Sequence, residues 1–474
     1  MPSITIIGSG PGGHIAAFEA ARRGAEVTLI EKAEIGGTCL NWGCIPTKTL
    51  KSSAEALETA GRLEEFGIAA AGGEESVGFK ADMEAVVARK ERVRKVLCGG
   101  LEKTCSAMNI RIVRGSAELG AGKTVRVHTE EGVEEIKSDS IIIATGSSIL
   151  ELPSLPVDHK RIINSDDALD LDHVPGKMVI VGGGVIGCEL AFIYRAFGSE
   201  VTIVEGLDRL LPIPSVDADM SKLLQREAKK HRIKVQLAKT VQKVEVVDDK
   251  VQCVLGPSPF VENAKGGETT IEADVVLVAV GRTPNTVGLN LAEAGVETDE
   301  RGWIKADGNM RTSAEGIYAI GDVLGPARVM LAHVASAEGL CAVDNCLGIE
   351  RALDYSVIPS GIFTSPEIGT VGLSEEEAAR KGIEFRSQVF QFRELGKAQA
   401  MGELPGMFKI ICEKESGKII GAHIAGAHAT DLIAEAGLAI KNGLTAADVA
   451  HTIHAHPTLA EGFYEVCEAW LRGC

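Results

Sequence analysis

Two glycine clusters of the same design divide the chain. Gly8-Ser9-Gly10-Pro11-Gly12-Gly13 closes the apolar run Ile4 to Gly8, and Gly182-Gly183-Gly184-Val185-Ile186-Gly187 closes Met178 to Val181. A helix-forming stretch follows each, then a second apolar run that ends on an acid. Glu31 stands 23 residues after Gly8, and Glu205 stands 23 residues after Gly182. In such a turn the first glycine (Gly8, Gly182) permits the sharp bend. The second (Gly10, Gly184) lets a pyrophosphate approach the backbone, and the third (Gly13, Gly187) lets helix and strand pack closely. Phosphates would rest on the helix N-terminus, where free N–H groups and the helix dipole favour negative charge. One Gly-x-Gly-x-x-Gly is weak evidence, since glycine turns before helices are common. Two copies in strand–helix–strand context with one acid spacing predict an α/β chain with two Rossmann-like dinucleotide domains.

At 474 residues the chain has room for about three domains. Its net charge of −17 argues against nucleic acid and against an anionic membrane surface as partners. No apolar run approaches the length of a membrane span; Ile141 to Thr145 and Val275 to Gly281 have the length of buried strands. The chain opens on Ser3-Ile4-Thr5-Ile6-Ile7-Gly8, a strand entering a glycine turn and not a charged leader. Eleven cysteines, odd in number and scattered, do not form a secreted disulfide framework. A cytoplasmic protein is expected.

Beyond the first fingerprint, Cys39-Leu40-Asn41-Trp42-Gly43-Cys44 sets two thiols with four residues between them. They read as a redox pair held against a flavin, as two buried free cysteines, or as half of a zinc site. A zinc site would need a second ligand pair, and no Cys-x-x-Cys or His-x-x-x-His occurs elsewhere. With the thiols directly after it, the first fingerprint should hold the cofactor that stays and the second the one that exchanges. Glu205 favours NAD there, because its carboxylate pairs with a free 2′-hydroxyl and repels a 2′-phosphate. Arg209, close by, reads as an exposed cation capping the turn. Near the C-terminus, His456 and Glu461 stand in His454-Ala455-His456-Pro457-Thr458-Leu459-Ala460-Glu461. They can form an imidazole–carboxylate pair for a thiol acid–base step, or simply cap the last helix.

The run Gly36-Gly37-Thr38-Cys39 through Cys44-Ile45-Pro46-Thr47-Lys48 resembles the active-site segment of flavin-linked pyridine nucleotide-disulfide oxidoreductases, and within them the dihydrolipoamide dehydrogenase branch. Matching motifs run from Ile6 to Glu461, essentially the whole chain. The resemblance implies a Cys39–Cys44 disulfide, with Cys39 exchanging with substrate and Cys44 facing FAD. It implies His456 as the base, oriented by Glu461 and acting across a homodimer interface, and a Lys48–Glu189 pair beside the flavin edge. Gly316-Ile317-Tyr318-Ala319-Ile320-Gly321-Asp322 resembles the second flavin segment, whose Asp binds the ribityl chain. Ala144-Thr145-Gly146-Ser147 and Val280-Gly281-Arg282-Thr283-Pro284-Asn285 resemble the crossovers into and out of the NAD unit. Thr145, Gly146 and Ala332 are then expected beside FAD, and Gly281 beside NAD. The implied reaction is oxidation of dihydrolipoamide on a lipoyl-bearing carrier, with tightly bound FAD and NAD as co-substrate, and with no resident metal.

The expected division is FAD-binding 1–148, NAD-binding 149–273, a return to the FAD side over 274–347, and an α+β interface domain over 348–474. The last should hold alternating strands such as Phe408 to Cys412 and Ile419 to Ile424, with amphipathic helices after Thr430 and Leu459. Some positions depart from the family. Val334 stands where Lys is usual, and His14 where an aromatic is common; His14 and His454 both read as packing. Cys467 and Cys474 are not vicinal, which counts against a third redox station and against mercuric reductase. Val185 stands where glutathione-reducing relatives carry a gating tyrosine. The competing functions are a related disulfide or metal-ion reductase, and a regulatory flavoprotein without turnover.

Overall fold

The computed structural model describes residues 1–69 and 78–473, so Cys474 lies outside the described residues. It contains two compact units. The first comprises 1–50, 84–150 and 281–354. Its centre is a parallel sheet in the order Ile317–Ala319, Ser140–Ile143, Ser3–Ile7, Glu26–Glu31, Arg111–Arg114. Ser140–Ile143 is buried at all four positions, as a β-branched run covered on both faces should be. Helix Pro11–Arg22 leaves the glycine turn with Pro11 in its first turn, where a missing N–H costs nothing. It lies close against helix Ala332–Cys346. A Cβ on Gly12 would stand 2.9 Å from the Ala335 carbonyl oxygen, and one on Gly339 2.6 Å from that of Gly12. A meander of Ser116–Gly120, Thr124–Thr129 and Gly132–Lys137 interrupts the sheet between its outer and inner strands.

The second unit comprises 51–83, 151–280 and 355–473 of the described residues, and repeats this plan. Its parallel sheet runs Lys234–Gln236, Glu200–Val204, Lys177–Val181, Val275–Val278, Ile162–Ile163. An antiparallel meander, Lys239–Val247, Lys250–Pro257 and Thr269–Ala273, again fills the gap before the inner strand. Strand Val275–Val278 pairs with Lys177–Val181, so the chain leaves this sheet after residue 280 and not at 274. The internal echo legible in the glycines is therefore an echo of strand order for four strands, while the fifth follows the others in sequence in the first unit (Ile317–Ala319) and precedes them in the second (Ile162–Ile163).

The C-terminal part of this unit is an antiparallel sheet, Ser360–Ile362, Glu367–Gly372, Ile419–Gly426, Met407–Glu413, Phe385–Gln391. Helices Ala429–Lys441 and Glu461–Arg472 cover one face, with Phe463, Val466, Cys467 and Trp470 at helical spacing in the core. Cys467 is buried there and its thiol is pushed up by burial, so it is an inert core group. The expected in–out alternation does not hold for Met407–Glu413, which is buried at six of its seven positions. The reason is that the other face is covered too. Lys409 reaches Asp217 (2.8 Å), Asp219 (2.7 Å) and Glu375 (3.1 Å), and its cross-strand partner His423 bonds the Leu373 carbonyl at 3.1 Å.

His423 is fully enclosed, and its Nδ1 has no hydrogen-bond partner. Burial lowers its pKa from 6.5. A histidine whose folded pKa is depressed contributes stability above its unfolded pKa and loses it as pH falls. Stability should therefore decline below pH 6.5 by up to about 1.4 kcal/mol per pH unit. Urea midpoints at pH 7.5 and 5.5 should differ in the wild type and converge in His423→Gln; equal slopes in both would refute this.

Candidate active site

The thiol segment is built by a short helix, Gly37–Asn41, and a tight link into helix Cys44–Ala60. Trp42 N–H closes on the Thr38 carbonyl (2.8 Å), and the Thr47 hydroxyl caps the Gly43 carbonyl (2.7 Å). A Cβ on Gly43 would stand 3.0 Å from the Thr38 oxygen, so a side chain there would crowd the link. Both cysteines are thiols in this structure and are hydrogen-bonded to one another; Cys39 is half-buried and Cys44 exposed. Cys44 is the first residue of its helix, where the dipole favours a thiolate. The Cys39 thiol is held well above the ordinary cysteine range. The chief cause is its hydrogen bond to Cys44, then burial, while the Lys48 ammonium pulls the other way and the Asp322 carboxylate adds to the rise.

Asn41 is a site residue that the motif reading missed. It is buried, its amide donates to the carbonyls of Ile35 (3.0 Å) and Gly37 (2.9 Å), and its oxygen accepts from Arg94 (3.0 Å). It thereby fixes the loop that carries Cys39. Its only sequence signal is its place between the two thiols.

The two fingerprints share geometry as well as sequence. Gly8 (φ +103°) and Gly182 (φ +112°) adopt backbone that side chains avoid, and a Cβ on either would lie 2.3 Å from a carbonyl oxygen of the next strand's end. A Cβ on Gly13 or Gly187 would strike the first glycine's oxygen at 1.9 Å, whereas Gly10 and Gly184 have nothing within 4 Å. Each acid closes its own turn. Glu31 accepts from Ser9 N–H (2.9 Å), the Ser9 hydroxyl (2.6 Å) and Ala33 N–H (2.9 Å); Glu205 accepts from Gly183 N–H (2.5 Å) and Leu207 N–H (2.7 Å). A carboxylate offers about four acceptor positions, so both acids keep capacity for a ribose hydroxyl. His14 is not merely packed: its Nδ1 lies 3.0 Å from the Ser9 carbonyl, with its ring against Phe18.

Asp322 accepts from the Ser147 hydroxyl (2.7 Å), and Arg282 donates to that same hydroxyl (2.6 Å). Beside them the Thr145 hydroxyl is buried with no hydrogen-bond partner, and the space where Gly146 would carry a Cβ is open. An orphaned buried hydroxyl and an open glycine, in the same unit as a fingerprint turn with open space at Gly10, fit a flavin dinucleotide. Ala332 opens helix Ala332–Cys346 in the same unit, and Val334, in place of the usual lysine, takes a buried apolar seat. Gly281, expected at the NAD, opens the segment that returns to the first unit, where its carbonyl accepts from Leu150 N–H (3.0 Å). Glu189 is buried in helix Val185–Phe197 of the second unit and accepts from Phe363 N–H (2.9 Å); Lys48 belongs to the first unit. Arg209 is not the free exposed cation expected. Its guanidinium is forked onto Glu376 (3.1 and 3.4 Å) and is mostly enclosed.

In the second unit His456 Nδ1 lies 2.7 Å from Glu461, whose other oxygen accepts from Thr458 N–H (2.7 Å). That backbone bond, with the imidazole, holds the Glu461 carboxyl below its ordinary range. A carboxylate accepting from Nδ1–H leaves the lone pair on Nε2, and the side chain is 75% exposed, an arrangement able to accept a proton. His454 is more than packing: Nε2 meets Glu435 (2.8 Å) and Nδ1 meets the Thr452 carbonyl (2.9 Å).

No helix among the described residues is long and apolar enough to cross a membrane, and no group of three or more metal-ligating side chains occurs among them. Residues 2–339 match the family model "Pyridine nucleotide-disulphide oxidoreductase", and residues 358–467 match its dimerisation domain. The chain is 42% identical to "Dihydrolipoyl dehydrogenase" of Chlorobaculum parvum, over 99% of this chain and 97% of that protein. It is 40% identical to "Dihydrolipoyl dehydrogenase 3" of Haloarcula marismortui, over 98% and 95%. Among solved structures, LpdA from Mycobacterium tuberculosis superposes with a TM-score of 0.89 at 26% identity, over 99% of this chain and 100% of that one. The paired thiols, the doubled fingerprint and the full-length matches agree, and the chain belongs to the pyridine nucleotide-disulphide oxidoreductase family.

Proposed function

We propose that this chain is an FAD-dependent dihydrolipoyl dehydrogenase, acting as a cytoplasmic homodimer on a lipoyl-bearing carrier protein with NAD as acceptor. The observation that carries the reading is the Cys39–Cys44 thiol pair, held in contact beside Asp322 in the unit whose fingerprint and orphaned Thr145 hydroxyl suit a flavin dinucleotide. The names and full-length coverage of the relatives support lipoamide as the substrate.

In the proposed turnover a dihydrolipoamide thiolate attacks Cys39 of the Cys39–Cys44 disulfide. A mixed disulfide forms on Cys39 and Cys44 leaves as a thiolate, eased by its helix N-terminus and by Lys48. The partner subunit's His456 takes the proton of the second substrate thiol. That thiolate then attacks the lipoyl sulfur of the mixed disulfide, releasing lipoamide and the Cys39 thiolate. FAD, when bound, supplies the two-electron relay from these thiols to NAD. We assign it Gly8, Gly10, Gly13, Glu31, Lys48, Thr145, Gly146, Asp322 and Ala332. Gly182, Gly184, Gly187, Glu205 and Gly281 are assigned to NAD.

Steady-state assay of the purified protein should give turnover of dihydrolipoamide with NAD well above that of glutathione disulfide or mercuric ion with NADH. The reverse order would overturn the substrate assignment. NAD should exceed NADP in kcat/KM by at least about tenfold, since NADP sets a phosphate against the buried Glu205 carboxylate. Equal specificity constants would overturn the reading of the second fingerprint.

A further inference from the structure

We propose that Glu376 is a nucleotide-specificity residue: it engages the Arg209 guanidinium, which could otherwise serve a 2′-phosphate, in an ion pair of its own. This rests on the reading of the second fingerprint as the nicotinamide site.

The segment after Glu205 is folded back over the fingerprint. Glu205 binds Gly183 N–H and Leu207 N–H, and Leu211 N–H returns to the Gly183 carbonyl at 2.8 Å. Arg209 lies on this short loop, four residues from the acid that should meet the ribose hydroxyls. A guanidinium here is a ready 2′-phosphate ligand, because its planar fork matches phosphate oxygens two at a time. Glu376 takes that fork for itself, binding both terminal nitrogens of Arg209.

An exposed ion pair alone would exchange freely and decide little. This one is backed by a fixed support. Glu376 belongs to helix Glu375–Arg380, which a Ser374–Glu377 capping box starts. The Ser374 hydroxyl bonds the Pro214 carbonyl (2.9 Å), and Glu375 N–H bonds Asp217 (3.2 Å). The Glu375 side chain meets the buried Lys409 ammonium (3.1 Å). Three consecutive glutamates thus have three separate duties: Glu375 ties to Lys409, Glu376 to Arg209, and Glu377 to the cap. The helix is anchored at Pro214 and Asp217, the far end of the loop region that carries Arg209, and this holds Glu376 in place against a guanidinium that swings toward the nucleotide. Nucleotide choice then has two parts: Glu205 repels the phosphate, and Glu376 withholds the cation that would attract it. Glu376 acts through Arg209 and is a positioning residue.

The test is calorimetric titration of the FAD-loaded dimer with adenosine 2′,5′-bisphosphate and with AMP, which needs no disulfide substrate. Glu376→Gln should tighten the bisphosphate by roughly fivefold or more while AMP changes by less than about twofold. The NADP-to-NAD ratio of kcat/KM should rise in parallel. Arg209→Gln added to Glu376→Gln should return both to the wild-type values, because the gain is the released guanidinium. An unchanged bisphosphate affinity in a Glu376→Gln dimer with normal flavin content would overturn the proposal. So would a gain that persists without Arg209. If the wild-type dimer binds neither nucleotide, the assignment of the second fingerprint falls, and this proposal with it.

Discussion

Replacing His456 with glutamine should slow dihydrolipoamide oxidation by roughly 10²- to 10⁴-fold, the usual worth of a positioned acid–base group. Flavin content and dimer mass should not change, because the residue would act on the chemistry and packs into no core of its own chain. Glu461→Gln should cost less, since Glu461 orients and polarises the imidazole without moving the substrate proton. It is also the Thr458 N–H acceptor, so its amide variant keeps one of its two bonds. The sharper measurement mixes His456→Gln with Cys44→Ser. Each homodimer should be nearly inactive. A heterodimer, however, joins both defects in one site and leaves the other site intact. Statistical reassortment should therefore restore about a quarter of wild-type activity, by the symmetry of a two-fold dimer. No recovery after verified subunit exchange would place thiols and base within one chain, and the shared site would be excluded.

Residues whose constraint is local were legible in the sequence. Gly8 and Gly182 need positive φ, and Gly13 and Gly187 face an oxygen 1.9 Å from any Cβ, so the backbone alone dictates glycine at a fixed spacing. His456 and Glu461 are neighbours across one turn, and their bond follows from that short separation. What escaped the sequence depends on partners far along the chain. Arg209 reads as a free cation until Glu376, 167 residues away, is placed beside it. Alternation in Met407–Glu413 was expected from a sheet with one wet face. The second face is covered by segments whose approach no periodicity records. Asn41 escaped because it holds backbone carbonyls, and a buried asparagine in a loop has no pattern of its own. The return point moved from 274 to after 280 because Val275–Val278 completes a parallel sheet, a matter of pairing and not of composition.

Lys409→Ala should destabilise the protein by about 3–5 kcal/mol, the cost of stranding a buried charge by removing its partner. Lys409 is 1% exposed and Asp217 2%, at 2.8 Å, with Asp219 and Glu375 completing the cluster. Without the ammonium, the buried Asp217 carboxylate would be left facing the partly exposed Asp219 and Glu375 carboxylates. Asp217 would keep its bonds from the backbone N–H groups of Asp219 and Glu375, so the loss should fall short of a bare buried anion. Adding Asp217→Asn should recover part of it, and the non-additivity of the cycle measures the coupling. The pH dependence separates this cluster from His423. Burial alone would raise Asp217 and Asp219, but the ammonium holds both below 3.8; burial alone would lower Lys409, but the carboxylates hold it above 10.5. A depressed carboxylate stabilises above its unfolded pKa and loses that contribution as pH falls through the folded value. A raised lysine stabilises below its unfolded pKa and loses it as pH climbs through the folded value. The gap between wild type and Lys409→Ala in urea unfolding should therefore be level from about pH 5 to 9 and narrow only outside that window. A gap that opens and closes near pH 6.5 would instead tie the cluster's energy to His423, its cross-strand neighbour, and a gap under about 1 kcal/mol would make the cluster a registry device with little net stability.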